Sequence, residues 1–180
     1  RIYINVNAIA TLFQSANLRG ALLNNAQLSR ANFSGADLIA TNLSQCQGGG
    51  AIFYEAQLQQ SYLFQADLRG AKLVRCRLGS TYLVEANLQD AQLTDADLRW
   101  SNLTRTDFCN AQLAGSNLRG ANLVQTNFTN ADLSHANLRG ANLRFANLQG
   151  VNLRGACLDE AILDGVRGKE AFSWSSAASY

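Results

Sequence analysis

The sequence predicts an all-β solenoid, a chain wound into a narrow coil of short extended segments. Three observations carry this expectation: a large apolar residue returns every five positions, a small residue stands two places before each, and most glycines stand two places after. From Phe13 to Leu163 the step of five meets 31 positions, of which 25 are Leu, five are Phe and one is Gly48. The phase never slips. A period of five suits neither regular element. On an α-helix at about 100° per residue, successive leucines would rotate by about 140° and scatter round the axis. On a flat strand an odd step sends them to opposite faces. The chain must therefore bend once per pentad, so that each segment turns its Leu toward a common axis.

The small position follows from the same geometry. All 31 residues two places before a centre are small, 20 of them Ala, because a narrow polygon has no room for two large residues on each side. Ten of the 14 glycines sit two places after a centre, where a tight corner requires positive φ. The position just before the centre is Asn or Asp in 17 of 31 cases. Stacked coils would pair their backbones as sheet neighbours, about 4.8 Å apart. The absence of proline fits, since proline removes a ladder hydrogen bond.

Taken in chain order, residues 1–10 precede the repeat as a cap or the end of an upstream segment, with Ile2, Ile4 and Val6 alternating as an added strand would. The first residue is Arg1, so the sequence reads as part of a longer chain. Residues 11–165 form one continuous repeat. Within it, SQCQGGGAIF at 44–53 resembles a linker, but Leu43 and Phe53 are ten residues apart and the phase survives. The stretch reads as one solenoid with an empty core slot at Gly48, flanked by Cys46 in the small position; a local bulge at 48–50 is the rival. Residues 166–180 leave the repeat as a cap or tail, in which Phe172 and Trp174 are candidates to cover the last coil.

The pentads ANLRG at 16–20 and 136–140 and ANLVQ at 121–125 carry the resemblance: residues 11–165 resemble the pentapeptide-repeat proteins. The resemblance implies a right-handed quadrilateral β-helix with four pentapeptides per coil. Thirty-one pentads then make about 7.75 coils, a rod on the order of 37 Å long. Residues 20 apart should stack, which would align Phe13, Phe33 and Phe53 in one column and Phe108 with Phe128 in another.

That column map defines an outer surface. One wall carries Arg99, Arg119 and Arg139, with Arg19 further along and Trp100 beside Arg99: a candidate anion or acidic-partner site, or merely a solvated face. The next wall carries Tyr62, Phe64, Tyr82 and Val84 at outward positions where Asn, Ser or Gln is the rule. Aromatics exposed together mark a candidate protein interface, with cross-strand stabilisation as the alternative.

Composition excludes several classes. With 16 % charged residues and net charge +2, the chain is neither a polycation nor an acidic tail. It has no apolar run of membrane-spanning length and no signal-peptide layout in its first residues. Cys46, Cys76, Cys109 and Cys157 have no metal-site spacing and read as isolated thiols, in keeping with a reducing, cytoplasmic compartment. His135 is the only histidine, at an outward position. With no Ser or Cys placed as a nucleophile for His135, no phosphate loop and no calcium nonapeptide, the reading is a non-enzymatic scaffold or protein-interaction module. It needs no cofactor, metal or small-molecule substrate and has an unidentified protein as partner.

The resemblance implies a second function, the topoisomerase-binding (DNA gyrase) mimicry of DNA by quinolone-resistance members. Such mimicry relies on an acidic surface, whereas residues 11–165 hold 12 acidic and 12 basic side chains. Direct nucleic-acid binding through the Arg column is a third reading, disfavoured by the same balance. The resemblance also implies homodimerisation through one end, although residues 166–180 match no motif for it.

Overall fold

A computed structural model of the chain describes residues 6–168. Its backbone is a four-sided coil, a right-handed quadrilateral β-helix. Every bridge is parallel and joins residues 20 apart, from Asn7 with Gln27 to Asn147 with Arg167, so four pentads complete each turn. The four walls are named by their inward centres. Wall 1 holds Leu28, Leu68 and Phe108; wall 2 Phe13, Phe33 and Leu73; wall 3 Leu38, Leu78 and Leu118; wall 4 Leu43, Leu63 and Leu83. The columns expected from the step of 20 form: Phe13, Phe33 and Phe53 stack at 4.8 and 5.0 Å between ring centroids, and Phe108 and Phe128 at 5.3 Å.

Among the described residues the ladder already runs one pentad before residue 11. Residues 6–10, expected outside the repeat, form a side of the first coil, with Ala8 buried as a centre and Asn7 bridged to Gln27. At the other end Arg167 still bridges Asn147. The expected capping roles of Ile2, Ile4, Phe172 and Trp174 lie outside the described residues.

Three kinds of hydrogen bond build each pentad. In wall 4 the centre amide of Leu23 donates to Asn42 O (2.7 Å), and Asn42 N donates back to Ala21 O (2.9 Å). A corner bond from Ala26 N to Leu23 O (3.1 Å) closes the turn. Positive φ at Asn25 alone makes this a type II turn. Glycine is not what the corner demands, however. Every corner from Ala10 to Gly165 has positive φ, and 22 of those residues are not glycine. The expectation that glycine marks the corner was right about φ and incomplete about cause: ladder and core hold even β-carbon-bearing residues in the left-handed region, at about 1 kcal/mol or more each.

The Asn and Asp positions also acquire a reason. The residue after each centre is the one whose amide lacks a backbone acceptor, and the Asx side chain two places earlier supplies one, as in Ser44 N to Asn42 Oδ1 (3.0 Å) and Cys109 N to Asp107 Oδ1 (3.0 Å). From Ala21 to Val151 the small residues and the apolar centres are buried, with inward Thr hydroxyls such as Thr126 bonded to carbonyls of the preceding coil (to Leu103 O, 2.8 Å).

The triple glycine is not a bulge. Gln47 bridges both Gln27 and Asp67, and Gly48 N donates to Asp67 O (2.7 Å) in register. The slot is not wholly empty either: a β-carbon on Gly48 would lie 2.8 Å from Cδ2 of Leu68, which reaches into the space.

Candidate interaction surface

Wall 4 presents its outward residues in columns. The position before the centre is Leu at 22, Asn at 42, 102, 122 and 142 and Ile at 162, and the run of Asn is interrupted by Tyr62 and Tyr82. The position after each centre carries Phe64 and Val84. Tyr62, Phe64 and Tyr82 are 42 to 49 % exposed, which sets them outside the core, while Val84 is half-buried. The two tyrosine rings stack at 5.2 Å and 6° from parallel. Replacing Asn by Tyr also forgoes the Asx bond. The amides of Phe64 and Val84 have no acceptor among the described residues, whereas Ser44 and Thr104 on the same wall have one.

Along the corner beyond Phe64 and Val84 runs a polar ladder. Gln45 donates to Gln65 (3.1 Å), Gln65 to Glu85 (2.9 Å), and Arg105 to Gln125 (2.9 Å) and Glu85 (3.4 Å). Those bonds hold the Glu85 carboxyl below the usual range, the Gln65 amide first and Arg105 second. The aromatic patch is thus edged by a fixed polar rim.

The opposite corner, between walls 3 and 4, brings in Trp100. Corner side chains lean toward the following coil, and Trp100 lies over Gly120, where a β-carbon would overlap its ring. His135 over Gly155 and Phe145 over Gly165 repeat the arrangement. Trp100 stays 63 % exposed, so it is surface rather than filler. Between it and Tyr82 lies a concavity of about 340 Å³ lined by Ser80, Thr81, Tyr82, Trp100, Ser101, Asn102, Gly120 and Asn122. Grouping Trp100 with Arg99 by sequence missed this. The available signal was the pair Trp100 and Gly120, twenty residues apart.

Three of the four arginines in the Arg column are tied to carboxylates. Arg99 grips Asp97 through two bonds (2.8 and 2.7 Å), and Arg139 reaches Glu160 at 2.6 Å. The Arg99 bond holds the Asp97 carboxyl below its ordinary value. Arg19 pairs with Asp37 at 3.2 Å. Arg119 is the one member of the column without an ion pair among the described residues. The carboxylates that pair with the column, Asp37, Asp97 and Glu160, lie outside the column map.

The thiols stand apart. Cys46 and Cys76 are buried, and burial pushes both up to about 12, leaving them protonated packing groups. Among the described residues no three His, Cys, Asp or Glu side chains cluster to hold a metal, and no helix is long and apolar enough to cross a membrane.

A family model for pentapeptide repeats matches in eight copies between residues 11 and 165. Among solved structures, HetL, a pentapeptide repeat protein involved in heterocyst differentiation regulation from the cyanobacterium Nostoc, is 30% identical over 91% of this chain and 90% of its own, with a TM-score of 0.39. A trypsin-treated form of QnrB1, a plasmid-mediated fluoroquinolone resistance protein, aligns over 100% of both chains at 17% identity with a TM-score of 0.65. A pentapeptide repeat protein of the Arabidopsis thaliana thylakoid lumen is 26% identical over 52% of this chain and 65% of its own, with a TM-score of 0.51. Comparison with curated proteins gives no match.

Proposed function

Because the chain belongs to the pentapeptide-repeat family, we propose that it works as a non-enzymatic interaction module: a stiff rod presenting the wall 4 aromatic patch to a protein partner. The observation that carries this reading is the interruption of the Asn column by Tyr62 and Tyr82. A core position is Leu because the fold requires it, but Tyr62 and Tyr82 face outward and forgo two local hydrogen bonds. With Phe64, Val84 and Trp100 they form an apolar area edged by polar side chains, the anatomy of a protein interface. Aromatics of this kind carry most binding energy when a partner excludes water from them.

Electrostatics support a neutral partner surface over a nucleic acid. The seven ion pairs among the described residues distribute both signs over the walls, and the Arg column is largely neutralised by its own carboxylates. DNA mimicry would call for an unbroken acidic face, which this distribution does not supply.

The test is capture from native extract by the chain beside a Tyr62→Ser, Phe64→Ser, Tyr82→Ser variant whose fold is checked by circular dichroism. A partner retained by the native chain and lost by the variant is the expected outcome. Equal capture by both would remove the patch as its site.

A further inference from the structure

Resting on that reading, we propose that the concavity beside Tyr82 is a seat for one aromatic side chain, inserted by an extended segment of the partner as the third ring of the Tyr62–Tyr82 stack. Rings 5.2 Å apart and nearly parallel have to lie face over face, since side by side in one plane they would overlap. One face of Tyr82 is therefore turned toward the following coil. There the column continues with Asn102, whose short side chain leaves the next ring position open, and the concavity occupies that place. The coil pitch suits a third ring, because the core stacks three at 4.8 and 5.0 Å in Phe13, Phe33 and Phe53.

The lining specifies the rest of the ligand. Asn102 Oδ1 is occupied by Thr104 N (3.2 Å) and Thr104 Oγ1 (2.8 Å), and Asn122 Oδ1 by Val124 N (3.3 Å). Both amide NH2 groups are left without an acceptor among the described residues, so the site offers donors. Extended peptide backbone brings the matching carbonyls. None of the eight lining residues is charged, which disfavours phosphate or an acidic segment. Trp100, seated on Gly120, forms the side wall against which the inserted ring's edge would pack.

The experiment follows the Asn102 and Asn122 side-chain amides and the Trp100 indole by NMR in the full chain. The probe is acetyl-Gly-Tyr-Gly-amide at millimolar concentration, beside its Ala and Pro counterparts and uridine. The expected result is saturable shifts at those three groups, with the Tyr peptide binding roughly two- to tenfold tighter than the Ala peptide, as one stacked pair supplies. Asn102→Tyr, in which the protein's own ring takes the third place, should keep the fold and lose the shifts at Asn122 and Trp100. Absent shifts, equal binding of the Ala peptide, preference for Pro or uridine, or shifts surviving in Asn102→Tyr would each overturn the seat. Partner capture separates the two readings. Loss with the triple Ser variant but not with Asn102→Tyr sinks the seat alone, and retention by both sinks the patch as well.

Discussion

At the scale of single residues, the inward small position separates packing from hydrogen bonding. Thr41, Thr81, Thr106 and Thr126 each bond a carbonyl of the preceding coil at 2.8 to 2.9 Å, so their hydroxyls are compensated. Ser116 is buried in wall 3 and its hydroxyl has no partner. Its column holds Ala at 36, 56, 96 and 136 and Cys at 76, so a methyl fills the place in the coils on either side. An unmet buried hydroxyl carries an uncompensated desolvation penalty, so Ser116→Ala should stabilise the chain by about 1 kcal/mol in urea unfolding. Thr126→Ala, which removes a made bond, should lower stability by a similar amount or more. A loss of stability in Ser116→Ala would mean that the hydroxyl is bonded after all.

At the scale of a wall, the same logic turns on a missing side chain. Gly48 leaves a gap in the Leu column of wall 1, and Leu68 has leaned into it. A leucine restored there must push Leu68 Cδ2 aside, the free end of a flexible side chain, while Gly48 itself has no positive φ to preserve. Gly48→Leu should therefore stabilise, but by about 1 kcal/mol rather than the roughly 2 to 5 that a buried Leu is usually worth, because part of the void is already filled. Urea midpoints of the two chains check it, and a lower midpoint for the variant would show that Leu68 cannot yield. The phase across residues 44–53 identifies one continuous solenoid from sequence, because a hydrophobic period records which side chains must face inward. It also places Tyr62, Phe64, Tyr82 and Val84 on one surface, since columns follow once the step of 20 is known. It does not record which way a corner side chain leans. That direction belongs to the left-handed turn, and for that reason a column map groups Trp100 with Arg99 instead of Tyr82. Nor did a column map contain the pairing of Arg99 with Asp97, which lies along the chain two residues away.

At the scale of the whole rod, each coil touches only the coils before and after it, so stability is a sum of neighbour terms and is smallest at the ends. Centres in the middle are sealed: Leu58, Leu68, Leu98 and Leu118 have no exposure, whereas Phe13, Leu18, Leu153 and Leu158 are only partly buried. The aromatic patch at residues 62–84 and Trp100 lie in that sealed middle, where opening of the backbone is rarest. A partner therefore meets a surface that is already ordered and forfeits little conformational freedom on binding. The consequence can be measured by native-state hydrogen exchange of centre amides, all of which have the same bond to the next coil from Phe13 to Leu148. Protection should rise from Phe13 toward Leu58–Leu118 and fall again toward Leu148, with the amides of Leu63 and Leu83 among the slowest. Uniform protection along the rod would mean that it opens only as one unit, and the patch would then owe its rigidity to the whole molecule and not to its central position.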